Sequence, residues 1–343
     1  MPVYNGEKFI RQAINSILTQ SFSDFELLII NDGSTDNSNK YIKQFDDPRI
    51  ILINNKENIG LVKTLNKGLL KARGLYVARF DQDDISLKDR LKSQSKFLAK
   101  NKKITAVCSW MITVNSRGEK LKYYKQKIKN YGDFLGIILI GKVPLYHPAV
   151  MFRKKEILNI GGYNVDFPMA EDYDLWRKMA LKRYNASMIP KFHLLQRVHE
   201  KNATTINRQE YINAGVKVQS ETLEFLGSKN SCLSNLLNQT SDPCGKKYSK
   251  RHLIELVNDL EKNIINNSIK KFGLSKKEIN SLRKKLYRRL GPGVEHIKLF
   301  SFLPEIIFKP LIFILSPLLF EKNYLYFSKI YRIIQKIKIK FIS

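Results

Sequence analysis

Three carboxylates crowd into four residues, Asp81-Gln82-Asp83-Asp84, in a chain whose formal net charge is +29. They follow the run Leu75-Tyr76-Val77-Ala78-Arg79-Phe80, which has Gly74 upstream and reads as a short buried strand. Carboxylates this close repel one another and tolerate each other best around a divalent cation. At the C-terminal edge of a parallel sheet, where α/β enzymes keep their ligands, such a cation implies a phosphate. A second acidic loop, Asn31-Asp32-Gly33-Ser34-Thr35-Asp36-Asn37-Ser38, follows the apolar run Leu27 to Ile30. Its glycine and small polar residues suit a sharp turn and a helix cap. Placed on the same sheet edge, Asp32 could accept the N–H of a uracil ring while Asp83 holds metal. Further on, Glu171-Asp172-Tyr173-Asp174 stands at a helix start. Neighbouring helical residues point about 100° apart, so Glu171 and Asp172 cannot face one site equally. The helix-start position favours an ionised carboxylate, as a base requires. The same residues also suit a purely structural start in which Asp174 pairs with Lys178, four residues on.

Positioning these groups requires strands that end together. Residues up to about 205 alternate apolar strands with amphipathic helices. Phe9, Ala13, Ile14, Ile17 and Leu18 form one helical stripe, and Leu61, Leu65 and Leu69 another. Between them run Glu26 to Ile30, Arg49 to Ile53, Leu75 to Phe80 and Ile104 to Met111, which predicts an α/β domain with a doubly wound, mostly parallel sheet. Ser86 and Asp89 fit a capping box, so a helix is expected directly after the aspartate cluster. Residues 206–295 read as a basic helical extension. Residues 296–343 read as a hydrophobic and basic membrane-associating segment. Within it Phe302 to Phe320 approaches spanning length but contains Glu305, Lys309, Pro304, Pro310 and Pro317. Such a segment fits one that lies in an anionic membrane interface, flanked by Lys322, Lys329, Arg332, Lys336, Lys338 and Lys340, or a buried core helix pair. Cys108, Cys232 and Cys244 match no metal or redox spacing, which suggests a reducing compartment. No signal peptide is evident, so the expected location is cytoplasmic, and the sequons at Asn202 and Asn238 read as chance matches.

Pro2-Val3-Tyr4-Asn5, the Asp32 loop, Asn58-Ile59-Gly60, Ala72-Arg73-Gly74 and the Asp81 cluster occur in an order that resembles glycosyltransferase family 2. These are inverting enzymes of the GT-A fold that use nucleotide sugars. Gly161-Gly162-Tyr163, Glu171 to Trp176, and Arg197-Val198-His199-Glu200-Lys201-Asn202-Ala203-Thr204 extend the resemblance over a catalytic domain of residues 1–205. The resemblance implies that Tyr4 flanks a uracil bound by Asp32, with Pro2 and Val3 shaping the pocket. It places Arg73 near the diphosphate. It makes Asp81 and Asp83 a DxD-type site for Mg²⁺ or Mn²⁺, with Asp83 touching the metal. Asp172 becomes the base that deprotonates the acceptor hydroxyl. Asp84 either orients sugar hydroxyls or caps the following helix. Glu171 is expected near the sugars, and His199 becomes a candidate metal or diphosphate ligand. His147 either approaches the acceptor or packs before a strand, and Trp176 is either a sugar platform or core. Family members often carry arginine where Lys178 stands.

The resemblance also implies a first strand that Met1 nearly omits. Two expectations follow: a gene product that starts upstream, or a decayed copy. The reading is thus a metal-dependent transferase that moves a sugar from a UDP-sugar to a glycan or lipid-linked acceptor at the cytoplasmic membrane face, in cell-surface polysaccharide assembly. A nucleotidyltransferase would also use carboxylate-held metal but leaves Glu171-Asp172 without a task. A basic nucleic-acid binder would show steep salt dependence yet leaves the acidic loops unexplained, so nucleic acid is not an expected partner.

Overall fold

A computed structural model describes residues 1–200, 202, 206–228, 255 and 257–290. The segment 296–343, with the proposed membrane contact, lies outside the described residues, as do Cys232, Cys244 and the sequon at Asn238. Among the described residues no helix is long and apolar enough to cross a membrane.

The N-terminal half alternates as its periodicity predicts. Strands β1 (Pro2–Val3), β2 (Leu27–Asn31) and β3 (Ile50–Asn54) form a parallel three-stranded sheet. Helix α1 (Ile10–Leu18) buries Ile10, Ala13, Ile14 and Ile17 on one face. Helices α2 (Ser38–Ile42) and α3 (Leu61–Lys71) make the other crossings. The next elements are β4 (Tyr76–Ala78), β5 (Ile85–Ser86), α4 (Arg90–Lys100), β6 (Ile104–Val114), β7 (Lys120–Tyr124) and α5 (Tyr131–Leu139). They lead to β8 (Val150–Arg153), α6 (Lys154–Asn159), α7 (Glu171–Leu181) and β9 (Asn185–Arg197).

These later strands correct the expectation of one mostly parallel sheet. They form a second sheet of order β4-β8-β6-β9-β5, with β7 paired to β6. Only β6 and β9 run parallel; β4/β8, β6/β8, β5/β9 and β6/β7 are antiparallel. A hairpin through Gly118 (φ 88°) turns β6 back into β7. Strand β8 enters from the opposite end after α5. Apolar content shows that a strand is buried but not which way it runs.

Every residue of α5 is buried, so it is a core helix apolar on all sides. Around it pack α7 and three helices of the C-terminal part: α8 (Arg208–Phe225), α9 (Asn266–Phe272) and α10 (Lys276–Leu290). Gly132 and Gly136 form the seam with α10. A Cβ on Gly132 would meet the Glu278 backbone, and one on Gly136 the Lys285 side chain. Asn130 donates to Ser281 Oγ at 2.9 Å, and Gln219 donates to the Leu139 carbonyl at 2.6 Å. The described C-terminal helices therefore share a core with the catalytic half.

Candidate active site

The acidic loop leaves the end of β4 through Arg79 and Phe80, both buried. A charge inside an apolar strand needs a partner, and Arg79 pairs with Asp81. Burial works against the Arg79 charge, and Asp81 more than restores it. Arg90, itself fully buried, donates to the Arg79 carbonyl at 2.6 Å and fixes the strand end. Asp81, Asp83 and Asp84 offer oxygens that all lie within 4.8 Å of one another. Asp83 Oδ2 faces His199 Nε2 at 2.9 Å and accepts from Asn202 Nδ2 at 3.3 Å. Burial and then the Asp81 charge raise the Asp83 carboxyl, while His199 pulls it back. Burial, Asp81 and Asp83 hold Asp84 well above the usual carboxylate range. The Asp84 Oδ2 atom is buried without a hydrogen-bond partner. Three crowded carboxylates, the partnerless Asp84 oxygen among them, and the His199 imidazole beside Asp83 fit a hard divalent cation.

Asp84 departs from one expectation. It caps no helix: its Oδ1 accepts the Arg197 backbone N–H at 2.9 Å. The Ser86–Asp89 capping box does not form either. Ser86 belongs to β5 and its N–H donates to Ser16 Oγ, Asp89 accepts from Ser21, and α4 starts only at Arg90. Arg197 does more than the sequence suggested. Its Nε donates to the Asp83 carbonyl, Nη1 to the Asn115 and Ser116 carbonyls, and Nη2 to Gln12 Oε1, while the guanidinium lies 4.5 Å from the Phe9 ring centre.

The nucleotide side is stitched to the same edge. Gln82 exchanges two hydrogen bonds with the Tyr4 backbone, at 2.9 and 3.0 Å, across a gap that a Cβ on Gly6 would close. Asn5 (φ 50°) accepts the Thr35 N–H, its own N–H goes to Ser34, and Asp36 accepts from the Glu7 N–H. Pro2 and Val3 form β1, with the Val3 side chain buried and its carbonyl taking the Asp32 N–H at 2.7 Å. Tyr4 keeps 45% of its surface exposed, as a ring available for stacking would. Asp32 is buried and already accepts from Asn55 Nδ2 at 2.6 Å and from the Ile59 and Gly60 N–H groups at 3.0 Å. A carboxylate has about four acceptor positions, so about one remains for a base.

Arg73 is corrected. Its N–H and guanidinium both bind Glu26, directly before β2, at the sheet edge opposite the acidic loops. The arginine that the site does contain is Arg79. A charged residue in a buried run was the available signal for it.

Across from the acidic loop, Glu171 and Asp172 open α7. The helix start does not offset the effect of burial on either carboxyl, though Asp172 still ionises below neutral pH as a base requires. Burial, followed by the Asp172 charge, pushes Glu171 up to about 8. Burial pushes Asp172 up to about 6, against the pull of the Tyr173 N–H and of Arg79. The Asp81 charge also raises both, so the two carboxylate sets lie within electrostatic reach, with Arg79 acting on each. His147 is buried and held neutral by burial and then by Arg79. Its Nε2 lies 2.9 Å from Tyr163 Oη and its Nδ1 3.6 Å from Glu171, so it backs Glu171 from within the core rather than facing open solvent. Trp176 is fully buried, edge-on to His147, and presents no sugar platform. The Asp174–Lys178 pair is replaced. Arg177 binds Asp174 at 2.6 Å, and Lys178 donates to the Gly162 carbonyl at 2.6 Å.

Comparison with known proteins places the chain among glycosyltransferases. The family described as Glycosyl transferase family 2 matches residues 1–160. An uncharacterized glycosyltransferase of Methanocaldococcus jannaschii is 31% identical over 217 residues, covering 62% of this chain and 72% of that protein. The O-antigen biosynthesis glycosyltransferase WbnJ of Escherichia coli is 34% identical over 181 residues, covering 52% and 69%. The fold is similar to that of S. aureus TarS 1-349, solved with UDP-GlcNAc, at a TM-score of 0.54 and 17% identity over 87% of this chain and 86% of that one. It is also similar to the mannosyltransferase PcManGT of Pyrobaculum calidifontis, solved with GDP-Man and Mn²⁺, at 0.51 and 16% over 99% and 84%.

Proposed function

The chain belongs to glycosyl transferase family 2, and from that premise we propose that it moves a sugar from a UDP-sugar to a glycan or lipid-linked acceptor with inversion. The observation that carries the proposal is the presence of two half-buried carboxylate sets, Asp81/Asp83 with His199 and Glu171/Asp172, both within electrostatic reach of Arg79. Asp81, Asp83 and His199 would hold Mg²⁺ or Mn²⁺, which when bound neutralises charge on a departing diphosphate. Arg79, itself buried, adds a fixed positive charge beside Asp81. Tyr4 flanks the uracil, and Asp32 accepts its N–H.

Asp172 takes the proton of the acceptor hydroxyl. That oxygen forms the new bond to the anomeric carbon, the bond from that carbon to the diphosphate oxygen breaks, and its electron pair leaves with UDP. Of the pair, Asp172 ionises more readily and suits the base, while Glu171 stays protonated near neutral pH and can donate to a sugar oxygen. The choice of UDP is supported by TarS, solved with UDP and with UDP-GlcNAc, and a polysaccharide setting by WbnJ, named for O-antigen biosynthesis. The charge of +29 supports work at an anionic cytoplasmic membrane face. A panel of nucleotide sugars tests the proposal: with Mn²⁺, one UDP-sugar should release UDP and bind with a thermal shift. Turnover of GDP-sugars alone would overturn the uracil assignment of Tyr4 and Asp32, and release of pyrophosphate would favour a nucleotidyltransferase.

A further inference from the structure

Helix α8 (Arg208–Phe225) packs along α7, whose first residues are Glu171 and Asp172. Strand β9 brings the chain up to the acidic loop, where Arg197 and His199 contact Asp83, and α8 starts soon after that point. Side-chain contacts fix the register between the two helices. A Cβ on Gly215 would touch the Tyr173 ring at 4.0 Å, and Arg177 donates to Glu221 at 3.2 Å. Both pairs advance together along the chain, so α7 and α8 run in the same direction away from the site. One turn back from Gly215, about four residues, Tyr211 comes level with the start of α7 and its two carboxyls.

The electrostatics of the ring agree with that register. Burial, and then the charges of Asp172 and Glu171, hold the Tyr211 phenol well above its ordinary range, so its hydroxyl keeps the proton. The ring itself is half-buried. Other phenols around α7 are spent on interior partners. Tyr131 donates to the Ala180 carbonyl, Tyr173 donates to the Ile138 carbonyl, and Tyr163 Oη lies 2.9 Å from His147 Nε2. Among the described residues the Tyr211 hydroxyl has no such partner. A half-buried donor beside the base, without a bond of its own, is placed to serve a ligand.

We propose that Tyr211 determines specificity on the acceptor side: its O–H donates to an acceptor sugar oxygen next to the hydroxyl that Asp172 deprotonates. This inference rests on the reading of Asp172 as the base. A pyranose presents neighbouring oxygens on one ring, so a neutral phenol can donate to one while the carboxylate takes the proton of the other. The same place disfavours a phosphate as the attacking group, because ionised Asp172 repels it. The acceptor thus reacts through a sugar hydroxyl rather than a lipid phosphate. The acceptor side of the site then extends past residue 205 into the C-terminal helices.

Measurements on the full chain test this with and without turnover. In protein labelled with 3-fluorotyrosine, the Tyr211 fluorine resonance is identified by its loss in Tyr211→Phe. In alkaline buffer it should move when Asp172→Asn removes the nearby charge, and an unmoved resonance would overturn the placement. The kinetic arm follows UDP release from the UDP-sugar that the chain accepts. Methyl glycosides of glucose, galactose, mannose and N-acetylglucosamine, or decyl phosphate, are added as acceptors. At least one glycoside should raise UDP release above the rate in water. Tyr211→Phe should raise the KM of that glycoside by roughly three- to tenfold, the effect of one lost hydrogen bond, while UDP affinity stays the same. Stimulation by decyl phosphate alone or by no glycoside, or an equal KM in Tyr211→Phe, would overturn the proposal. Absence of UDP release from every UDP-sugar would overturn the transferase reading and the acceptor role of Tyr211 with it, whereas the fluorine resonance would still decide its place beside Asp172.

Discussion

Asp83 meets His199 and Asn202 through Oδ2, and its carboxylate stands within 4.8 Å of those of Asp81 and Asp84. Replacing this side chain removes the group best placed to touch a cation. Asp83→Ala should lower UDP release by on the order of 100-fold or more and weaken Mn²⁺-dependent UDP binding, as read by a coupled assay and calorimetry. Unchanged turnover would remove Asp83 from the metal site. Asp172 has a different signature because it acts on the acceptor. Asp172→Asn should cut transfer by roughly 10²–10⁴-fold while UDP affinity stays near normal. A base works only when deprotonated, and Asp172 is raised to about 6. The wild-type kcat/KM should therefore climb with pH and level off above about 6, and the variant should lose that limb. A collapse of UDP binding in Asp172→Asn would instead make the residue structural.

The elements explain why some of these residues were legible in the sequence and others were not. Strand β2 and the stripe of α1 announce themselves by burial pattern, and the loops after β2 and β4 then fall on one edge. Arg73 is placed near the diphosphate by the resemblance alone, and a motif's order along the chain does not fix which sheet edge its residues reach. Helix α3 carries the chain back from the site edge, so the residues before β4 sit beside Glu26 at the other end. The Ser86–Asp89 pattern has the right spacing for a cap, yet pairing of Ile85 and Ser86 with β9 claims those residues first. Trp176 and His147 look chemical in type, and only packing shows that they are interior. Gln20 was invisible for the opposite reason, since a lone glutamine carries no pattern. Its amide donates to Ser16, Ser86 and Leu87 and accepts the Leu91 N–H, so it joins α1, β5 and the start of α4. Gln20→Ala leaves that buried N–H without a partner, which costs about 1–3 kcal/mol. Thermal unfolding should show a Tm lowered by roughly 3–10 °C.

At the scale of the whole molecule, the glycine seam ties the C-terminal helices to the catalytic core. A Cβ at Gly132 would stand 2.0 Å from the Glu278 carbonyl oxygen, an overlap that backbone cannot yield to without moving α10. Gly132→Ala should destabilise the protein by about 1–3 kcal/mol and speed amide exchange across α10 before it does so across β2. Charge acts over the same scale. With 60 Lys and Arg against 31 Asp and Glu, the proposed partner surface is anionic, and the segment after residue 295 combines basic with apolar residues. Removing residues after about 295 should release the protein from anionic liposomes in a sedimentation assay, and persistent binding would move the membrane surface elsewhere. The reach of Arg197 has a further consequence, in time. Its bond to Asp84 spans 113 residues and its bond to Gln12 spans 185. At synthesis rates of about 5–20 residues per second, roughly 6–20 s separate the appearance of the acidic loop from that of the arginine that holds it. Through that interval the growing chain carries the aspartates without Arg197, His199 or Asn202, so the side-chain cluster around the acidic loop is completed only late in translation.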